Sequence, residues 1–72
     1  MNPIERMEKI RNARDNKQHV CIDGVEVDMQ TANAIITVYD KVSERNQGMM
    51  RVMHINTLAM IAWRVINNKE AV

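Results

Sequence analysis

The chain has 72 residues, of which 46% are hydrophobic and 26% charged, and ten Lys and Arg set against nine Asp and Glu leave a formal net charge of +1. A single domain of this size buries only about 60% of the surface its unfolded form exposes, and near neutrality excludes the global basic footprint of a nucleic-acid binder. With only Gly24, Gly48 and one cysteine, Cys21, the chain has no phosphate-cradling glycine loop, no dinucleotide fingerprint and no intrachain disulfide.

At the N-terminus, Asn2 before Pro3 reads as a helix cap followed by proline at the first helical position, where its missing N–H costs nothing. Ile4, Met7, Ile10 and Ala13 then recur at three-residue steps, which predicts a helix over residues 1–14 with Glu5, Arg6, Glu8, Lys9 and Arg11 toward solvent. This charged, helix-like start is unlike a signal or transit peptide, and no run is long enough to cross a bilayer. With one unpaired thiol, the expectation is a cytoplasmic protein that meets no membrane. Residues 15–18 (Asp-Asn-Lys-Gln) are polar and read as a linker.

Residues 19–28 carry the strongest local signal. Asp23-Gly24 between two β-branched segments favours a type I′ turn, which pairs Ile22 with Val25, Cys21 with Glu26, Val20 with Val27 and His19 with Asp28. Alternation then places Val20, Ile22, Val25 and Val27 on one face, with His19, Cys21, Glu26 and Asp28 on the other.

The helical region is expected over residues 29–66, entered through Asp28 as an N-cap. Ala32, Ile35, Ile36, Tyr39 and Val42, widened by Val38, form an apolar band of helical period; the Tyr39 hydroxyl is expected to reach solvent. Polar residues from Ser43 to Gln47 and then Gly48 predict a break near Asn46, followed by a short helix with Met49, Met50, Val52 and Met53 on its apolar side. Asn56 reads as the cap of a last helix from Thr57 to about Ile66. Its stripes, Leu58-Ile61-Ala62-Val65 and Ala59-Trp63-Ile66, cover most of its circumference. Residues 67–72 are expected to fray. The fold class is therefore mainly α with one β-hairpin, an α+β domain ordered as helix, hairpin with a two-residue turn, long helix, short helix and C-terminal helix.

The stretch Asp23-Gly24-Val25-Glu26-Val27-Asp28, then Gln30-Thr31-Ala32-Asn33-Ala34-Ile35, Val38-Tyr39-Asp40 and Met60-Ile61-Ala62-Trp63, resembles small uncharacterised proteins encoded by tailed bacteriophages. The resemblance spans roughly residues 23 to 66. It implies an intracellular protein made in an infected bacterium and transfers no catalytic residue.

His19, Cys21, Glu26 and Asp28 include zinc-ligand types, but alternation alone turns polar side chains outward on a half-buried hairpin, so no metal is expected. Cys21 and His19 lack an orienting third group and an oxyanion hole, so neither an enzyme nor a cofactor is expected. The hydrophobic inventory is unusual, with seven Met, no Phe, one Tyr and one Trp. Met suits both core filling and pliable docking surfaces. The leading expectation is a non-enzymatic binding protein that blocks a host protein or sequesters a small ligand. It would act as a homo-oligomer, a dimer by default, because the apolar faces of hairpin and last helix exceed what one chain covers. Candidate contacts are Met49, Met50, Met60 and Arg64, with Arg45, Arg51 and His54 as the charged set for a small anion. The alternative is a helix-turn-helix-like DNA-binding regulator using the C-terminal helices, weakened by the absence of polar donors at Met60 and Trp63.

Overall fold

The computed structural model describes residues 2–68 and arranges them as α1 (Pro3–Asn16), β1 (Val20–Ile22), β2 (Val25–Val27), α2 (Met29–Lys41), α3 (Glu44–Val52) and α4 (Ile55–Asn68). The α+β class and the order of elements are those expected from the sequence. Asn2 caps α1 by accepting the Glu5 N–H at 2.8 Å, with Pro3 at the first helical position. The helix runs two residues beyond the expected end and takes in half of the supposed linker. It stops because Lys17 turns left-handed (φ 54°, ψ 47°), with the Lys17 and Gln18 N–H groups folding back onto the carbonyls of Arg14 and Ala13. This pair of bonds is a Schellman stop, and it satisfies carbonyls that the polar sequence alone leaves open.

The hairpin has the register read from its turn: Val20 faces Val27, Cys21 faces Glu26 and Ile22 faces Val25. Asp23 (φ 53°) and Gly24 (φ 77°) both have positive φ, as a type I′ turn requires. Strand pairing stops short of His19 and Asp28. Asp28 instead caps α2, its carboxylate accepting the Thr31 N–H at 2.6 Å. That hydrogen bond favours the ionised form and lowers the Asp28 pKa.

One core joins all the elements. Helix α2 is its centre, packing against both α1 and α4, while α3 lies against α1 and α2. Six residues of α2 are buried, Ala32, Ala34, Ile35, Ile36, Val38 and Tyr39, an arc wider than the one expected because helices cover it from more than one direction. Met7, Ile10 and Ala13 supply the α1 side, whereas Ile4 lies beyond the packed stripe and is 60% exposed. Ile22 and Val27 are buried, and Val20 and Val25 pack half-buried against the same cluster. The hairpin's apolar face therefore packs into the chain's own core, with Val20 and Val25 left partly exposed.

The break after α2 also differs from expectation. It falls at Val42 and Ser43, both extended, rather than near Asn46, because the Ser43 hydroxyl accepts the Asn46 N–H and starts α3 at once. Gly48 lies inside α3, and a Cβ built there meets nothing within 4 Å. Gly48→Ala is therefore expected to raise stability by about 0.5 to 1 kcal/mol, read from the urea midpoint, since alanine loses less backbone entropy on entering a helix. At the other end, α4 includes Asn67 and Asn68, so the expected fraying at these two residues gives way to helix; residues 69–72 lie outside the described residues.

Candidate functional site

Charged chemistry concentrates where α1, the hairpin turn and the α3–α4 junction meet. Arg6, which the sequence assigns to solvent, has only 11% of its side chain exposed. Its Nη1 donates to the Arg51 carbonyl at 2.5 Å, and its Nη2 donates to the Met53 carbonyl at 2.7 Å and to Asp23 Oδ2 at 2.8 Å. The same Asp23 oxygen accepts the Ile55 N–H at 3.0 Å. Arg6 thus satisfies carbonyls at the end of α3, while Asp23, 32 positions away in sequence, caps the start of α4.

This distant cap explains why α4 begins at Ile55 and not at Thr57. Asn56 is not the cap; its N–H donates to His54 Nδ1 at 3.1 Å, and the His54 carbonyl accepts the first helical bond from Leu58. Burial opposes ionisation of Asp23, but the Ile55 N–H and the Arg6 guanidinium outweigh it and hold the carboxyl below its usual range. A shallow cleft of about 470 Å³ opens here, lined by Pro3, Arg6, Asp23, Arg51, Val52, Met53 and His54. Arg6 Nε is buried without a partner, yet the guanidinium charge is already matched by Asp23 and two carbonyls. The cluster is a staple between elements.

Of the anion set expected from the sequence, Arg51 and His54 line this cleft and Arg45 does not. Arg51 is half-buried and its Nε donates to the Tyr39 hydroxyl at 2.7 Å, with the guanidinium 5.7 Å from the ring centre. Tyr39 is itself buried, so its hydroxyl reaches Arg51 and not solvent. Gln47 completes this junction by donating to the Tyr39 carbonyl at 2.8 Å. His54 is exposed with Nδ1 engaged in the local cap, and Arg45 is exposed earlier on α3, outside the residues that line the cleft.

On the outer hairpin face, His19 Nδ1 lies 3.0 Å from Glu26 Oε1, both residues largely exposed, and Cys21 stands free beside them. Asp28 is committed to capping α2. Among the described residues, no three of His, Cys, Asp and Glu converge as metal ligands do. Cys21→Ser is expected to leave stability within about 0.5 kcal/mol and bound zinc unchanged, measured by thermal melts and elemental analysis. A fall in either would reinstate a hairpin metal site.

Apolar surface concentrates elsewhere. Val38, Val42, Asn46, Met49, Met50, Met53, Ile61 and Val65 line a recess of about 160 Å³ between α2, α3 and α4. A second recess of about 440 Å³ shares Val38, Val42 and Val65 and continues past Asn33, Thr37, Lys41 and Ile66. The two adjoin along Val38, Val42 and Val65, and together they are called the groove. Met49, 53% exposed, stands in it, whereas Met50 is a core residue and Met53 packs half-buried against the core. Met60 (55% exposed) and Trp63 (37%) lie outside the groove residues on α4, with Arg64 exposed next to them. Methionine content singled out Met49 and Met60, while periodicity assigned Val38, Val42, Ile61 and Val65 to interior stripes. The available signal was that α4 is apolar around most of its circumference while only one chain's elements are present to cover it.

Comparison with protein-family models, with curated proteins and with solved structures gave no match. Among the described residues, no helix is long and apolar enough to cross a membrane. The groove and the outer side of α4 are therefore read from their own chemistry.

Proposed function

We propose that the chain is a non-enzymatic, cytoplasmic binding protein, working as a homo-oligomer, that takes an apolar helical segment of a partner protein into the groove between α2, α3 and α4. The observation that carries this reading is the groove itself, an apolar channel with exposed Met49 at one end and a polar rim of Asn33, Thr37 and Lys41 along α2. Helix-in-groove recognition uses such a channel, and a methionine in it repacks around different side chains. Exposed Arg45, which precedes groove residue Asn46, favours a partner with carboxylates flanking its apolar face. Support for binding over catalysis comes from the charged cluster, where Arg6, Asp23 and Arg51 are occupied with helix ends and with Tyr39. Joined to the resemblance to phage-encoded proteins, the partner is a protein of the infected bacterium and the effect is inhibition.

Titrating amphipathic helical peptides into the chain tests this reading. An acidic peptide is expected to bind, a basic peptide with the same apolar face to bind more weakly, and Met49→Glu to weaken the acidic complex about tenfold. Binding to neither peptide, or an unchanged affinity in Met49→Glu, contradicts it. Steeply salt-dependent binding to duplex DNA would instead favour a DNA-binding regulator built on exposed Arg45 and Arg64.

A further inference from the structure

The outer side of α4 is patterned for a partner of its own. Asn56, Met60, Trp63 and Asn67 are all exposed and follow one another at steps of four, three and four residues, the spacing of a helix-pairing seam. This seam lies opposite the buried Leu58 and Ala62. The midpoint of α4 falls between Ile61 and Ala62, and Met60 and Trp63 stand equally far on either side of it, as do Asn56 and Asn67. The seam is therefore self-complementary when reversed.

We infer that two copies pair through this seam, α4 against α4 and antiparallel, with Met60 of one copy on Trp63 of the other and Asn56 opposite Asn67. The inference rests on the homo-oligomeric part of the proposed function and gives it a surface separate from the groove. Thioether on indole is a favourable contact, and the paired amides can donate to and accept from each other. Charge permits the pairing, since α4 carries no acidic residue and a single base, Arg64, among its residues. Reversal sets each Arg64 level with Ala59 of the other copy, so like charges do not face each other, and the two helix dipoles run in opposite directions. A closed two-fold contact of this kind uses the same patch on both copies.

Size sets the strength. A helix of 14 residues is about 21 Å long, and pairing along one such helix covers roughly half of the ~800 Å² per partner of a standard interface. The dimer is accordingly weak and reversible.

Sedimentation velocity of the full chain from about 5 to 500 µM is expected to show a monomer shifting reversibly toward a dimer, and Met60→Glu to remain monomeric throughout with an unchanged circular dichroism spectrum. In a Cys21→Ser background, an equal mixture of Met60→Cys and Trp63→Cys chains is expected to oxidise preferentially to the mixed disulfide. Self-association that survives Met60→Glu, or preferential joining of position 60 to position 60, overturns the α4 seam and leaves the homo-oligomer reading standing. A wild-type chain that stays monomeric across the range overturns both, while groove binding to the acidic peptide is scored separately.

Discussion

Arg6→Ala is expected to lower the unfolding free energy by about 2 to 4 kcal/mol, an effect out of proportion to a residue on the first turn of the first helix. The side chain is almost wholly covered, and its removal strips the Arg51 and Met53 carbonyls and the Asp23 carboxylate of a charged donor at once. Asp23→Gly examines the other half of the staple without disturbing the turn, because Gly-Gly also accepts two positive φ values. Its effect is expected in the same direction, and the double variant is expected to lose less than the two single losses combined, since the partners share one interaction. Urea unfolding of the four chains at pH 7 reads all of this. The acid branch adds a second signature. The folded-state pKa of Asp23 is lowered from 3.8, so its contribution is complete above that value and is lost as the pH falls through the folded pKa. Asp40, lowered chiefly by its hydrogen bonds from Arg11, and Asp28 add to the same acid loss. Asp23→Gly should therefore flatten part of the stability profile below about pH 4 and leave the remainder.

Ile35→Ala is expected to cost about 3 to 4 kcal/mol, at the upper end of single-site effects. Ile35 and its neighbour Ile36 are both 0% exposed, which two adjacent positions of a helix achieve only when packing covers a broad arc. Helix α2 meets that condition because it contacts α1, α3 and α4. A truncated side chain there leaves a void that several elements would have to shift to close, and close packing resists such shifts. Against a total stability of roughly 4 to 11 kcal/mol for a chain of this length, the loss removes much of the margin. Thermal melts followed by circular dichroism should show a midpoint far below that of the wild-type chain. A shift of only a degree or two would mean that α2 is not the centre of the core.

What the sequence disclosed follows from the range of the forces involved. Asp23-Gly24 defines a turn by local backbone preference, and alternation then sets every pair in the hairpin; Asn2-Pro3 and Asp28 act on N–H groups within three residues. These features were legible. The second role of Asp23, as cap of α4, depends on a contact 32 positions away, and nothing near Ile55 announces it. Arg6 looked like a solvent residue because it stands off the apolar stripe of α1, yet the α3–α4 junction closes over it. The break at Val42 and Ser43 was hidden because Val42 continues the apolar period of α2, while Gly48, a more conspicuous breaker, is tolerated inside α3. The groove was half legible. Met49 and Met60 stood out by composition, but whether a valine on an apolar stripe faces a neighbour or lines a channel is decided by where the neighbouring helix ends.

The methionines make one measurement decisive, because they sample every environment invoked above. Carbon-13 methyl spectra of methionine-labelled chain, recorded over a concentration series and then with the acidic peptide, should move Met60 with chain concentration and Met49 with peptide. The buried Met7, which lines neither recess, should hold nearly still in both. Shifts confined to Met7, or a Met49 and Met60 that ignore both titrations, would contradict the assignment of recognition to the groove and the outer side of α4.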